Sequence, residues 1–436
     1  MGRQSFVIVV FVSCFVRVSP THTMTHMSSR GLKRISEAVP TAMVRTPPST
    51  KRLRKVPPIA VTPDNHRSVS TRFETWESGS YIDLCVPPNE LRPSATLTNG
   101  QCFHWMAMDP PDDDVRKTSA WGSHNATEWV GTLRAPTGES VVVAIRETND
   151  STLYRKIDGP EIDCGTFLRN YFQLDQSLED LYEEWSQNCP RMKKIAVSLP
   201  GVRIIDQDPW ECLVSFICSS NNNIPRITKM LKSLRQTYGQ RLVTIGDDEL
   251  YSFPSLDDLA SAATEINLRT KCGMGYRAKY ILETIRKLKE LGGEKYLWEL
   301  RASNDPIGVQ EKLCEFHGVG RKVADCVALF SLKQENAVPV DVHVWNIARR
   351  DYDNDGTLAA VKSLTPSVYR AVGDLFRDRF QAKSGWAHSL LFVAELPSFR
   401  PALPQSLVEE MDRFKEVEKK RKQTEKETRK LSKQTH

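Results

Sequence analysis

Near Gly165 the hydrophobic period of this chain changes, and no other feature limits its possible folds as strongly. Between about Ser78 and Asp158 the stretches "ATLTNGQCFHW", "TEWVGTLRAP", "ESVVVAIRET" and "TLYRKID" are short, rich in β-branched and aromatic residues, and separated by turn formers. They predict an antiparallel meander. Beyond Gly165, "SLEDLYEEWS", "WECLVSFICSSN", "IPRITKMLKSLRQTYG", "SLDDLASAA", "YRAKYILETIRKLKELGG" and "VQEKLCEF" place apolar residues three and four apart, with short polar joints between them. "GWAHSLLFVAEL" continues the pattern. The expected fold class is therefore α+β: an N-terminal antiparallel β-rich domain over 78–170 and a mostly α-helical body over 171–400. A chain of 436 residues is long enough to bury a sizeable core in such a pair.

The flanks differ from this body. Before Glu74 the acidic residues are Glu37 and Asp64, against about a dozen Lys and Arg. Residues 1–72 therefore read as a disordered basic arm, suited to a polyanionic partner or a targeting receptor. Within it, Lys51, Arg52, Arg54 and Lys55 lie among prolines, the pattern of a nuclear-localisation signal; a merely solvated basic linker is the plainer alternative. The run "FVIVVFVSCFV", about eleven residues, is too short to span a bilayer. It is followed by a Ser-, Thr- and Arg-rich, acid-poor stretch of mitochondrial-presequence type rather than by a small-residue cleavage site. Met24 and Met27 are alternative starts, and the sequons at Asn125 and Asn149 suit a secretory route. The expected location is the nucleus, with the mitochondrion as a second destination and no membrane association. Residues 401–436 read as a charged tail, a frayed or disordered helix.

Ten cysteines are scattered without a C-x-x-C pair, and none follows Cys326. A zinc or iron–sulfur site needs clustered thiolates, and a disulfide framework belongs to smaller secreted domains. Reduced thiols, no cofactor and no catalytic metal are expected.

The chemistry concentrates in "GVGRKVADCVALFSLKQENAVPVDVHVW", from Gly318 to Trp345. Gly318 and Gly320 suit a tight turn between two helices that permits positive φ and close backbone approach. Amides at the mouth of the second helix can hold a phosphate oxygen without reading a base. Lys322 and Cys326, four apart, share a helical face among Val323, Ala324 and Val327. A helix N-terminus and apolar neighbours both favour a neutral amine, which is a nucleophile for an electrophilic sugar carbon. Asp341 follows Pro339 and opens the next helix, where Asp is a favoured cap. A carboxylate pinned as a cap also suits stabilisation of a developing positive charge. Each reading has a plainer counterpart: a helix–helix turn, a surface lysine and a capping aspartate.

With "NGQCFHW", "QDPWECLVSFICSSNNNIPRI", "GMGYRAKY" and "GWAHSLLF" in the same order, this block resembles the helix–hairpin–helix-GPD superfamily of DNA glycosylases, and within it the 8-oxoguanine glycosylase/lyases. The resemblance covers roughly residues 80 to 395. It implies a bifunctional repair enzyme, a monomer acting on double-stranded DNA that contains oxidised guanine. Lys322 would attack the deoxyribose C1′ and form a Schiff base, and Asp341 would stabilise the oxocarbenium-like transition state. Gly100, Phe103, Cys326, His388 and Phe392 would form the base pocket. Gly100 would offer its carbonyl to the N7 hydrogen that guanine lacks, and Cys326 would pair with Lys322. Asn221, Arg226 and Arg277 would hold the orphaned cytosine while Tyr276 fills the stack, parts that extraction of a base from a duplex requires. Gly318, Gly320 and His343 would contact the backbone. The carbonyls of Cys314, Phe316 and Val319 would hold a structural monovalent cation.

Two positions depart from the family pattern: His317 stands where proline usually precedes the hairpin, and His388 replaces a pocket glutamine. Titration of His388 predicts excision that varies over about pH 5.5 to 7.5. Iron–sulfur relatives carry cysteines after the aspartate, and alkyl-base glycosylases lack the lysine. The alternatives left are a glycosylase for another oxidised or ring-opened purine and a non-catalytic helix–hairpin–helix DNA-binding protein.

Overall fold

The computed structural model describes residues 80–108, 128–187, 189–353, 356–358, 361 and 363–434. Its antiparallel sheet has five strands: β1 (Ile82–Asp83), β2 (Trp105–Met108), β3 (Glu128–Arg134), β4 (Ser140–Glu147) and β5 (Thr152–Asp158), in the order β1-β5-β4-β3-β2. Val130 lies opposite Ala144, and Ile145 opposite Tyr154. Because successive side chains point to opposite faces, Val141, Val143 and Ile145 enter one apolar cluster with Trp129, Leu133, Leu168 and Phe172. Val142 and Ala144 join Val130 in a second cluster with Ile245 and Leu250. The sheet is thus covered on both faces.

Ile245 and Leu250 come from a hairpin that was not anticipated, β6 (Arg241–Ile245) with β7 (Asp248–Tyr251). Its strands are four or five residues long and half-exposed, too short for a clear alternation, and the left-handed Gly246 at its turn was the available signal. A second correction concerns "ATLTNGQCFHW", where only Trp105 is in a strand. The residues before it form a one-turn helix, Pro93–Thr96, and an irregular loop. Gln101 dictates that loop: its Nε2 donates to the carbonyls of Thr96 (2.8 Å) and Arg203 (2.9 Å), and its Oε1 accepts from the Ile205 amide (3.0 Å). A backbone held by side-chain bonds has no need of a ladder.

In the helical body every residue of Pro209–Ser219 is buried, so this helix runs through the core. Against it packs the helix Arg321–Ser331, buried from Val323 to its end. The Gln207 amide donates to the Phe330 carbonyl (2.9 Å), and the Gln207 side chain donates to the Gln101 carbonyl (2.7 Å). The loop at Gly100 is thereby tied to the lysine-bearing helix. A further helix, Pro366–Phe380, went unpredicted although Thr365 caps it and Tyr369, Val372, Phe376 and Phe380 keep helical spacing.

The C-terminal region is more ordered than expected of a charged tail. Gln405–Gln434 is one helix whose first turns dock through Leu407 and Met411, and Glu418 accepts both terminal nitrogens of Arg349 at 2.8 Å. None of the described helices is long and apolar enough to cross a membrane. The nine cysteines among the described residues are free thiols. The basic arm with Lys51, Arg52, Arg54 and Lys55, the early apolar run and Asn125 lie outside the described residues, while Asn149 is exposed between β4 and β5.

Candidate active site

One cavity, with an empty volume of about 460 Å³ including its mouth, gathers groups from distant parts of the chain. Asn99, Gly100 and Gln101 come from the pinned loop, and Phe216 from the central helix. Lys322, Cys326 and Phe330 come from the lysine helix. Pro339, Asp341, His388 and Phe392 close the far side. Lys322 is the second residue of its helix, half-buried, with its ammonium 5.6 Å from the Phe216 ring centroid. The N-cap there is Gly320, which has no side chain to fill the first-turn amides.

Asp341 is the expected helix cap, and it lines the cavity. It caps the helix Val342–Ile347, with one carboxylate oxygen, Oδ1, accepting from the amides of His343 (2.8 Å) and Val344 (3.0 Å). Among the described residues no hydrogen bond reaches Oδ2, so a rigidly held carboxylate keeps one oxygen for the cavity it lines. Cys326 also lines it, four residues beyond Lys322. Burial pushes its thiol up to about 11, and the neighbouring Lys322, which hydrogen-bonds it, offsets only part of that rise. Its pairing with Lys322 therefore involves a neutral thiol and is not an ion pair at neutral pH.

The predicted pocket residues Gly100, Cys326, His388 and Phe392 all line the cavity; Phe103 does not. Phe103 is buried one layer behind, edge-on to Phe216 with ring centroids 5.9 Å apart, and Phe216 takes the wall position. Gly100 has φ +90, a conformation that L side chains rarely adopt, and an added Cβ would lie 2.9 Å from Ile224 Cδ1.

His388 is only 4 % exposed, between the rings of Phe376 (centroids 6.0 Å) and Phe392 (6.4 Å), and among the described residues neither ring nitrogen makes a hydrogen bond of good geometry. Burial lowers its pKa to about 4; Asp341 and the nearby Gly385 and Pro339 carbonyls oppose the shift but do not cancel it. The ring is thus neutral throughout pH 5.5 to 7.5, which overturns the expected pH-dependent excision from this residue. A neutral imidazole has one donor and one acceptor, and the Gly385 and Pro339 carbonyls are near enough to compete for the donor. The effect moves to stability. An unfolded His388 takes a proton below about pH 6.5 while the folded one resists until about 4. Stability is therefore lost as pH falls between those values, by up to about 3 kcal/mol. Urea unfolding at pH 7 and pH 4.5 should show a larger drop for the parent than for His388→Gln. Equal drops would show that the ring is protonated in the fold.

Around the mouth stand the residues expected to meet DNA. Asn221 follows the central helix at φ +47 and is exposed, and among the described residues its side chain has no hydrogen-bond partner. Asn222 is buried against the Cys218 carbonyl (2.9 Å), and Asn223 caps the next helix (2.9 Å). Of the asparagine run, only Asn221 reaches outward. Arg226 is exposed nearby. Arg277 differs from expectation: it is buried, and its guanidinium donates to the carbonyls of Ser220 and Asn221. In this state it braces the asparagine loop instead of offering itself to a base. Tyr276 is 39 % exposed, with its hydroxyl anchored on the Ser220 carbonyl (2.9 Å) and the Arg277 guanidinium 4.4 Å over its ring. A held, protruding ring fits a wedge. His343 is half-buried and edge-on to Phe392 (6.2 Å), beside the cavity and not in its wall.

The hairpin glycines play unequal parts. Gly318 has φ +81, and a Cβ there would fall 2.3 Å from the Tyr280 ring. Gly318→Ala should destabilise the protein by about 2 kcal/mol, read as a shifted urea midpoint. An unchanged midpoint would mean that the hairpin relaxes freely. Gly320 needs neither freedom: its φ is −93 and no atom lies within 4 Å of a built Cβ. Its bareness faces open space, where a phosphate would approach. The exposed His317 ring packs edge-on to Tyr280 (4.9 Å), stiffening the turn where proline is usual. The Cys314 and Val319 carbonyls accept no backbone hydrogen bond among the described residues, and that of Phe316 accepts one, from Val319 (3.1 Å). This all-carbonyl set fits a hard monovalent cation.

Comparison with known proteins adds to this geometry. Residues 83–213 match the 8-oxoguanine DNA glycosylase N-terminal domain, and residues 214–366 match the HhH-GPD superfamily of base excision DNA repair proteins. The N-glycosylase/DNA lyase OGG1 of Arabidopsis thaliana is 43% identical over 328 residues, 74% of this chain and 82% of that protein. The chain belongs to the 8-oxoguanine DNA glycosylase family. The N-glycosylase/DNA lyase of Saccharomyces cerevisiae is 35% identical over 341 residues, 72% of this chain and 85% of its own. The Clostridium acetobutylicum 8-oxoguanine glycosylase/lyase, solved with double-stranded DNA containing cytosine opposite 8-oxoG, superposes with a TM-score of 0.57 at 28% identity. It covers 70% of this chain and 91% of that one.

Several working parts of this glycosylase were not singled out from the sequence. Phe216, on the central helix, differs in no visible way from the other apolar residues of "CLVSFIC", so pattern alone cannot send it to the cavity. Gln101 was legible in principle, as a buried amide directly after the glycine turn, but its bonds run to residues more than a hundred positions away.

Proposed function

We propose that this chain excises 8-oxoguanine paired with cytosine and then nicks the strand through a Schiff base on Lys322. What carries the reading is one cavity that brings an amine, a carboxylate, a left-handed glycine and a neutral imidazole together between aromatic walls. A flipped nucleotide entering it would meet Phe216 and Phe392 on its faces and Gly100 and His388 at its edges. The Lys322 amine attacks C1′, the glycosidic bond breaks, and its electron pair leaves with the base, which takes up a proton. Asp341 Oδ2 faces the positive charge that grows on the sugar. Opening of the sugar ring gives the imine, whose acidified C2′ proton is lost as the 3′ phosphate departs. Cys314, Phe316 and Val319 would hold the cation, which supplies electrostatic stiffening of the hairpin against a phosphate. That one chain supplies every group of the cavity supports action as a monomer.

Incubation with an 8-oxoguanine·cytosine duplex and borohydride tests the proposal. A covalent protein–DNA adduct is expected, with at most a trace from the undamaged guanine·cytosine duplex. No adduct, or equal adducts from both, defeats it. The cluster Lys51, Arg52, Arg54 and Lys55 supports delivery to the nucleus. A reporter carrying residues 45–60 that stays outside the nucleus would remove that support.

A further inference from the structure

Behind the cavity, the lysine helix carries a carboxylate that the mechanism does not use. Asp325 is 4 % exposed and follows Lys322 by three residues. Its Oδ1 accepts from Gln310 Nε2 (2.6 Å), on the first helix of the hairpin, and its Oδ2 accepts from the Tyr369 hydroxyl, on Pro366–Phe380. The same hydroxyl oxygen accepts from the amide of Val340 (3.2 Å), the residue immediately before Asp341. We propose that the Asp325–Tyr369 pair is a positioning device, which sets the Asp341 carboxylate relative to Lys322 by tying the lysine helix to the backbone that delivers the aspartate. The inference rests on the assignment of Lys322 and Asp341 given above.

The direction of each bond is defined. Burial raises the Asp325 pKa to about 6, with Tyr369, Gln310, Arg377 and Arg321 acting against the rise, so the group is ionised at neutral pH. Burial and the adjacent Asp325 charge push the Tyr369 hydroxyl well above its usual range, so it keeps its proton. A phenol has one proton to give. Asp325 takes it in preference to the Val338 carbonyl at 3.4 Å, and the oxygen is left to accept from Val340. Cys326 and Cys314, the other titratable neighbours, are both held as thiols by burial. The loop 332–341 is otherwise hydrogen-bonded to the lysine helix only near its start, where the Leu332 and Gln334 amides donate to the Ala328 carbonyl (both 3.1 Å), so among the described residues the tie is what fixes its far end. A displacement of about 1 Å between reacting groups costs up to about 100-fold in rate.

The test is a mutant cycle read by single-turnover excision and by borohydride trapping on the lesion duplex. Tyr369→Phe keeps the ring packing and removes the bridge. It should slow both reactions about tenfold, leave duplex affinity within twofold and move the melting temperature little. Asp325→Leu, close in shape but with no acceptor for the Tyr369 hydroxyl, should slow both reactions by a similar factor. In an Asp341→Asn background the Tyr369→Phe effect should shrink to less than twofold, because the group it aligns is gone. The inference is overturned if either single variant reacts within twofold of the parent. It is overturned equally if Tyr369→Phe costs the same factor with and without Asp341, or if rate and affinity fall together. A parent that forms no adduct at all would instead defeat the functional assignment itself.

Discussion

Lys322→Gln should form no borohydride adduct with lesion duplex, and its base excision should fall by a factor on the order of 10³ or more. The size follows from the chemistry. Without a nucleophilic amine there is no imine, hence no acidified C2′ proton, hence no strand nicking; only water attack on the glycosidic bond is left. Binding should survive. Lys322 is half-buried beside Phe216, and the glutamine is shorter than the lysine it replaces. The anchors expected to hold the duplex, Asn221, Arg226, Tyr276 and the hairpin, stand elsewhere. Gel shift on the lesion duplex should therefore give an affinity near the parent's beside an empty trapping lane. A variant that traps as efficiently as the parent would move the Schiff base to another amine and dissolve the role given to this helix.

Local chemistry was the most legible part of this chain, and distant contacts the least. Lys322, Cys326 and Asp341 fall within twenty residues, and a glycine turn, a helical spacing and a proline-led cap were enough to place Lys322 and Asp341 at the mouths of adjoining helices, with Cys326 one turn inside. The strands β3, β4 and β5 were equally plain, because alternation survives wherever each face meets its own apolar cluster. What failed were properties set by other parts of the fold. Which of two phenylalanines walls the cavity depends on how the Phe103 loop packs on the central helix, where Phe103 lies edge-on to Phe216. Whether His388 titrates near neutrality depends on burial between Phe376 and Phe392, which no residue next to it in sequence reveals. That Arg277 is buried with its guanidinium on the Ser220 and Asn221 carbonyls was equally unreadable from its sequence neighbours, because those carbonyls lie more than fifty residues away.

Asp341→Asn separates two roles that one side chain holds at once. The capping role belongs to Oδ1, which accepts from His343 and Val344, and asparagine offers the same oxygen at the same place. Asn and Asp are near-equal caps. Loss of the charge at a helix N-terminus costs at most about 1 kcal/mol, and the short helix Val342–Ile347 should stay formed. The catalytic role belongs to Oδ2, which becomes an amide nitrogen carrying two hydrogens and no negative charge. Such a group faces a growing oxocarbenium with the wrong end of its dipole. Turnover should then fall about 100-fold or more, while the urea midpoint moves slightly and duplex affinity holds. Asp341→Ala provides the contrast, since it removes cap and charge together and should lower stability further than the asparagine does. The measurement that decides is the pair of numbers for Asp341→Asn. A clear stability loss with parental turnover would leave Asp341 a helix cap and nothing more. A parental midpoint with excision down 100-fold would assign the carboxylate to the transition state.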